Sequence, residues 1–304
     1  MKKNVKHLTG FSLIELSVVM LIIGILVAGI TQGSRIIKEA RLKTAQTLTE
    51  SSPVSSIKDL TLWLDATDAK TIGVSGEFGN AEDGDVVTAW NDKNPQLSSK
   101  INFTGTALYE ANGINGLPSI DFNGTDSVLS NTSRAPISAT DDSYTIIAVW
   151  MADTIPGVGG YGTIFHQGDA DFDFVGSVAE DANLSLFSSV GNVYGFGKST
   201  NAITADFDQA YTSDGEVISA VRVNGATNQL YHNANGDTPT QVLGVADGDI
   251  LSDVVSIGAI DADTDVNFFG GKISEIIIFD RRIKKSELTD VVEYLSKKYG
   301  IELS

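Results

Sequence analysis

An apolar run near the N-terminus, which contains a single carboxylate, most constrains this 304-residue chain. Three lysines and no acidic residue precede Phe11, and apolar residues then dominate as far as Ile30, with Glu15 as the one charge. About 20 residues of helix, at roughly 1.5 Å each, match the ~30 Å hydrocarbon core of a membrane. An ionised carboxylate inside such a helix costs about 2.5 kcal/mol or more. Glu15 therefore requires a functional explanation.

Two ordinary explanations of this segment fit poorly. A secretory signal peptide has a shorter apolar core of about 7–15 residues, followed by a small-residue cleavage site that is absent here. A plain single-span anchor accounts for the length but gives Glu15 no role. The leader lysines keep the N-terminus in the cytoplasm, because positive charge is retained on that side. The chain after Ile30 is therefore expected on the far side of the membrane.

The string Gly-Phe-Ser-Leu-Ile-Glu at positions 10–15 resembles the cleavage site of type IV prepilins, the precursors of pili and of type II secretion pseudopilins. The resemblance implies that residues 1–10 are a leader and that prepilin peptidase cuts after Gly10 and N-methylates Phe11. It also implies that Glu15 pairs with the N-terminal amine of a neighbouring subunit during assembly. The precursor would then lie in the inner membrane as a single-pass protein. The assembled form would be an extracellular pilus or a periplasmic pseudopilus.

The helical pattern continues beyond the apolar run. An uninterrupted helix is predicted over residues 11–50, with the membrane span at 11–30 and a stop at Ser51-Ser52-Pro53, because the residue before proline disfavours helix. A linker is expected over residues 51–59. Many major pilins have a proline where this chain has Gln32, a difference that favours a minor or tip subunit.

From residue 60 onward the pattern changes to strands. Ten short runs rich in Val, Ile and aromatic residues lie between Thr61 and Phe279, separated by Gly, Asn and Asp clusters, which is typical of an antiparallel sandwich or jelly roll. A short amphipathic helix is predicted over residues 286–299. The expected fold class is α+β: a long N-terminal helix, then one domain over residues 60–304 consisting of a β-sandwich and the C-terminal helix. The three tryptophans are expected in its core.

Four segments of this domain resemble laminin-G-like domains of the concanavalin A-like class. They are Trp-Leu-Asp-Ala-Thr-Asp at 63–68, Trp-Asn-Asp at 90–92, Asn-Gly-Ile-Asn-Gly-Leu-Pro at 112–118 and the strand at 271–280. The resemblance implies a jelly-roll sandwich that serves in adhesion, carbohydrate binding or protein contact, in several members with calcium.

The sequence predicts that the chain is not an enzyme. Glucanases with this fold use a Glu-x-Asp-x-x-Glu strand, and no Glu here is followed by Asp two residues later. The chain has no cysteine and three histidines, so thiol catalysis is excluded and a histidine-based triad is poorly supported. A surface-tethered carbohydrate-active enzyme remains the alternative, together with a type II secretion pseudopilin.

Calcium is the one cofactor that the sequence suggests. Two segments place oxygen-bearing side chains at alternate positions: Asp261, Asp263, Asp265 and Asn267 in one, and Asp169, Asp171 and Asp173 in the other. Hard cations take such oxygen ligands. The first segment is not an EF-hand, because Val266 replaces the turn glycine and Lys272 replaces the bidentate glutamate. Each segment is either a loose Ca²⁺ site or a solvated acidic loop.

The formal charge of −18 argues against nucleic acid as a partner. The expected partners are prepilin peptidase, other pilin subunits through the N-terminal helix, and the inner membrane before assembly. A glycan or a surface protein is the expected ligand of the sandwich, although the sequence does not identify it.

Overall fold

The computed structural model divides the chain into two compact units, with the boundary between Lys43 and Thr44. It describes residues 12–131, 133–138, 143–153, 161–168, 183–189, 193–199, 209–210, 215–225, 227–234, 236, 239–244, 254–260 and 267–304.

The first helix, α1, runs from Leu13 to Glu50. At its start the Ser12 amide donates to Glu15 Oε2 at 2.8 Å, and the Ile14 amide donates to Ser12 Oγ at 3.3 Å. These two hydrogen bonds cap the helix from both sides of its first turn and satisfy amides that have no partner within the helix. In the part of the chain that the structure describes, α1 is the one helix long and apolar enough to cross a membrane, and its apolar window has no buried residue.

The second unit is built on strands. Their bounds are β1 (Leu60–Asp65), β2 (Ile72–Val74), β3 (Glu77–Phe78), β4 (Val86–Asn91), β5 (Asn102–Glu110), β6 (Ser119–Asn123), β7 (Val128–Asn131), β8 (Thr145–Ala152), β9 (Tyr161–Gly168), β10 (Asn183–Ser189), β11 (Val193–Ser199), β12 (Gln209–Ala210), β13 (Glu216–Asn224), β14 (Thr227–His232), β15 (Gln241–Gly244), β16 (Val254–Ile257) and β17 (Gly270–Phe279). The C-terminal helix, α2, spans Lys285–Tyr299. Every described strand pair is antiparallel.

The strands form two layers joined through β6. One layer has the order β1-β17-β8-β13-β14-β15, and the other has the order β3-β2-β4-β5-β7-β16-β9-β10-β11-β12. Strand β6 pairs with β17 on one side and with β5 on the other, so the hydrogen bonding continues from one layer into the next. A long helix followed by a large antiparallel β-domain and a short C-terminal helix confirms the predicted fold class.

The first layer is buried on both faces, which explains the nearly continuous apolar run of β8. Ile146, Ala148 and Trp150 point into the core between the layers, while Ile147 and Val149 point to the outer face. This alternation follows from the two-residue period of a strand. The outer face is apolar as well because helices cover it. An amphipathic C-terminal helix packed on the sandwich follows from the sequence, whereas the contribution of the end of α1 does not.

Two helical segments cover that outer face. One is α2, which buries Leu288, Val291 and Leu295 against the sheet. The other is the end of α1, where Ala45 is buried in the same cluster and Leu48 packs against it. The last turns of α1 therefore belong to the β-domain and act as part of its third layer.

Several local predictions are confirmed, whereas some strands of the structure were not predicted. All three tryptophans are buried, and α1 stops before Pro53. The sequence pattern missed β5, in which polar residues occupy the exposed face, and six further strands, β2, β3, β7, β11, β12 and β15. Strand propensity is weak in such edge and half-exposed segments, since cross-strand packing decides whether they form.

Candidate functional site

A lysine buried among carboxylates lies beneath α2. Lys298 Nζ is 2.9 Å from Asp65 Oδ1 and 2.7 Å from Glu275 Oε2, and all three side chains are 0% exposed. A buried charge is unfavourable unless it is paired and hydrogen-bonded. These three groups therefore depend on one another.

The strands dictate this arrangement. Asp65 ends β1 and lies directly opposite Glu275 of β17 in the antiparallel register. Like charges at directly opposed positions repel, so the two carboxylates need a cation between them. Lys298, in the last turn of α2, supplies it because its turn of the helix faces the sheet.

Glu275 accepts hydrogen bonds from three further side chains. The donors are Trp63 Nε1 at 2.8 Å, Tyr294 Oη at 3.0 Å and Tyr299 Oη at 3.0 Å. Burial raises the pKa of Glu275, while Lys298 and these donors favour the ionised form. Burial also raises the pKa of both tyrosines well above their ordinary value, and Glu275 adds to this. They are therefore hydrogen-bond donors at neutral pH.

Asp65 is held in its ionised form. Burial by itself would raise its pKa, but Lys298, Lys93 and a hydrogen bond from Thr67 outweigh burial and hold the pKa well below its usual range. Lys93 Nζ lies 3.0 Å from Asp65 Oδ2, and the Thr67 hydroxyl donates to Oδ1 at 2.7 Å. With two lysines and two carboxylates, the cluster balances its charge within the domain.

The end of α1 joins the same network. Thr49 Oγ1 lies 3.0 Å from Tyr294 Oη and 3.4 Å from Asp65 Oδ2, and Gln46 Nε2 donates to the Thr67 carbonyl at 3.1 Å. We call the set Thr49, Trp63, Asp65, Thr67, Lys93, Glu275, Tyr294, Lys298 and Tyr299 the buried network. It ties the last turn of α1, the sheet and α2 together through polar contacts.

The buried network is closed to a substrate, because its carboxylates have no exposed surface. An open depression of about 360 Å³ lies beside it, between the end of α1 and α2. Its lining residues are Leu48, Ser51, Ser52, Pro53, Asp290, Glu293, Tyr294 and Lys297. In chemical terms the network is a structural joint between the helix and the sandwich.

The residues predicted from the sequence fall largely outside this region. Gly10, Phe11, Asp169, Asp171, Asp173, Asp261, Asp263 and Asp265 lie outside the described residues. Glu15 is described and caps the start of its own helix. Asn267 has φ 63°, and its carbonyl accepts a hydrogen bond from the Thr163 amide at 2.9 Å. The described residues contain no group of three or more His, Cys, Asp or Glu side chains able to hold a metal ion.

Sequence reasoning missed the buried network, although signals for it were present. Asp65 and Glu275 each interrupt an apolar strand run. Lys298 follows Leu295 by three residues and Tyr294 by four, which places it on the buried face of α2, whereas its neighbour Lys297 is exposed. Two strand carboxylates and one lysine on the buried side of a helix are the pattern that could have revealed the joint.

A family profile described as a prokaryotic N-terminal methylation motif matches residues 7–31. The N-terminal segment is therefore type IV pilin-like, as its resemblance to prepilins predicted. The motif implies processing by prepilin peptidase and assembly with other pilins. Together with the apolar helix, it fits membrane anchoring and a surface or periplasmic filament. No curated protein matches the chain significantly in sequence.

Solved structures share the fold of the β-domain. A sialidase from Trypanosoma rangeli in complex with sialic acid gives a TM-score of 0.51 at 14% identity, covering 79% of this chain and 33% of that one. A GH54 α-L-arabinofuranosidase soaked with a cyclic sulfate inhibitor gives 0.53 at 11% identity, covering 79% and 63%. The chain spans about a third of the sialidase and under two thirds of the arabinofuranosidase. At these identities the likeness shows the fold alone.

The prediction that the chain is not an enzyme is contradicted by these neighbours, since glycosidases contain domains of this fold. The prediction relied on a missing strand motif, the absence of cysteine and the small number of histidines. Carboxylates contributed by different strands also come together without any such motif, as Asp65 and Glu275 do here.

The buried network generates a stability prediction. Lys298→Met should lower the free energy of unfolding by about 3–5 kcal/mol, because it leaves two buried carboxylates without their shared cation. The adjacent Lys297→Met is the control, since Lys297 makes only an exposed pair with Glu293 and its loss should cost under about 0.5 kcal/mol. Denaturant unfolding of both variants measures the difference. Equal losses would contradict the role given to Lys298.

A second prediction concerns the end of α1. Thr49→Val keeps the side-chain shape but removes the hydroxyl that meets Tyr294 and Asp65, so unfolding should become easier by about 1 kcal/mol. Thr47→Val, at an exposed position of the same turn, is the matched control. Thermal unfolding followed by circular dichroism compares the two. A Thr49→Val variant as stable as Thr47→Val would show that the hydroxyl adds nothing to the joint.

Proposed function

We propose that this chain is a subunit of a type IV pilus-like filament that displays its β-domain as a saccharide-binding adhesion module. The observation that carries the assembly role is the apolar, fully exposed window of α1 within a prokaryotic methylation motif. A soluble domain would bury such a surface. In this chain the exposed apolar surface of α1 would contact lipid before assembly and other subunits afterwards.

The buried network supports this role mechanically. A filament subunit must pass load between its assembly helix and its displayed domain. In this chain the last turns of α1 are packed into the domain and bonded to it through Thr49 and Gln46. Loss of either contact would weaken this attachment, which Ala45 and Leu48 also support through apolar packing.

The remaining parts of the proposal concern the ligand, the place of the subunit in the filament, and the details of processing. The β-domain has a fold found in a sialidase and an arabinofuranosidase, which makes a saccharide the first ligand class to test. The absence of a proline at Gln32 and the size of the β-domain favour a minor or tip subunit. Cleavage at Gly10–Phe11, the boundaries at residues 11–50 and 60–304, and Ca²⁺ at the two aspartate segments stay parts of the proposal.

A tethered carbohydrate-active enzyme is the second candidate, favoured by the two structural neighbours, a sialidase and an arabinofuranosidase. The two candidates separate in one assay. Release of reducing sugar from a polysaccharide by the full chain supports the enzyme, whereas retention of intact glycan supports the binding module. A type II pseudopilin would be found with the secretion machinery and not in surface filaments.

Glu15 offers a test that separates assembly from helix capping. Glu15→Gln keeps a capping side chain at the third helical position but removes the charge. We expect normal cleavage after Gly10 but poor entry into filaments, because the amine of the neighbouring subunit loses its partner. Glu39→Gln, which removes an exposed carboxylate from the same helix, should assemble as wild type. Quantitative immunoblots of sheared filaments measure incorporation, and normal incorporation of Glu15→Gln would contradict the assembly role.

The display role is tested with filaments or with the full chain in neutral detergent. A glycan array should retain the chain on a limited set of saccharides, and competition with the free saccharide should release it. Filaments that lack this subunit are the control. Uniform absence of binding on the array, with correctly assembled filaments, would refute the saccharide-binding role and leave the assembly role standing.

A further inference from the structure

Two arginines share one neutral acceptor on the outer face of the sheet. The side-chain oxygen of Gln229 accepts from Arg222 Nη1 at 3.0 Å, from Arg282 Nη2 at 2.6 Å and from Tyr231 Oη at 3.2 Å. Arg222 and Gln229 are direct cross-strand partners on β13 and β14. Arg282 comes from the segment between β17 and α2.

Neither arginine has a carboxylate partner among the described residues. The neighbouring Arg281 shows the usual arrangement, with Glu287 at 2.8 Å and Asp59 at 3.4 Å. The chain holds 39 acidic and 21 basic residues, so acidic partners are plentiful. Among the described residues, the two guanidinium groups therefore meet only neutral acceptors, whereas Arg281 meets carboxylates.

Burial makes the missing carboxylate partner more costly for both arginines. Arg222 is 5% exposed, and its other donors go to the Ile283 carbonyl, from Nε at 3.0 Å and from Nη2 at 2.6 Å. Arg282 is half-buried, and its Nε is buried without a hydrogen-bond partner. Burial, and then the charge of Arg222, lower the pKa of Arg282. A buried cation with an unused donor is unfavourable unless an anion meets it.

We propose that Arg282, backed by Arg222, binds the oxyanion of an acidic saccharide, a carboxylate or a sulfate. This inference rests on the proposed saccharide-binding function and specifies its ligand. The planar guanidinium matches such oxyanions through paired hydrogen bonds. Exposed Lys284 lies two residues from Arg282 and adds positive charge to the same segment.

The start of α2 is not itself the site. The Glu287 carboxylate accepts from the Lys284 amide at 2.6 Å and pairs with Arg281, so a side chain already serves the positive end of the helix. The positive charges without a described carboxylate partner are those of Arg282 and Arg222. Arg282 is partly exposed, so a small oxyanion approaches its guanidinium from solvent.

The test uses the full chain in neutral detergent, titrated at constant ionic strength with sodium glucuronate, sodium sulfate or glucose. We expect saturable binding of glucuronate with a rise in melting temperature, and none with glucose. Arg282→Gln should weaken glucuronate binding at least tenfold, while Arg134→Gln, which removes an arginine that follows β7, should bind as wild type. Sulfate binding without glucuronate binding would overturn the saccharide assignment.

Gln229→Glu is the sharper variant, because it places the missing charge between the two arginines at almost constant shape. It should raise the melting temperature of the ligand-free chain by several degrees and weaken glucuronate binding at least tenfold. Glucuronate binding within twofold of wild type in both Gln229→Glu and Arg282→Gln would overturn the inference. If the array retains the chain on neutral glycans but glucuronate does not bind in the titration, this inference fails while the proposed function stands.

Discussion

The position of Lys298 between Asp65 and Glu275 is the interaction on which the outer layer of the domain depends. The antiparallel register of β1 and β17 places the two carboxylates opposite each other. Lys298 lies between them, and Lys93 adds a second cation beside Asp65, so both carboxylates remain ionised. Because Lys298 comes from α2, the helix must dock for the sheet to be electrostatically balanced. A hydrogen bond between Tyr294 and Thr49 then connects this cluster to the end of α1.

Architecture was more accessible from the sequence than the sites were. The apolar run, the stop at Pro53 and the alternation in the strands follow from hydrophobic period and turn chemistry, which are local signals. The buried network is not local, because its members are separated by up to 250 positions, between Thr49 and Tyr299. Arg222 and Arg282 were equally hidden, since only the register of β13 and β14 brings Gln229 between them.

Fold and function separate clearly in this chain. Its N-terminal segment carries a motif with one defined use, whereas the β-domain has a fold that also occurs in glycosidases. In the proposed function the first supplies a means of assembly and the second supplies a displayed surface. The buried network connects the two, because the domain takes in the last turns of the helix as part of its own core.

That connection is the central claim, and hydrogen–deuterium exchange on the full chain in neutral detergent tests it most directly. If residues 45–50 belong to the domain, their amides should exchange as slowly as those of β17, and denaturant should release both together. Amides of residues 34–43 should exchange independently of the sandwich. Residues 45–50 that exchange with 34–43, well before β17, would contradict the account.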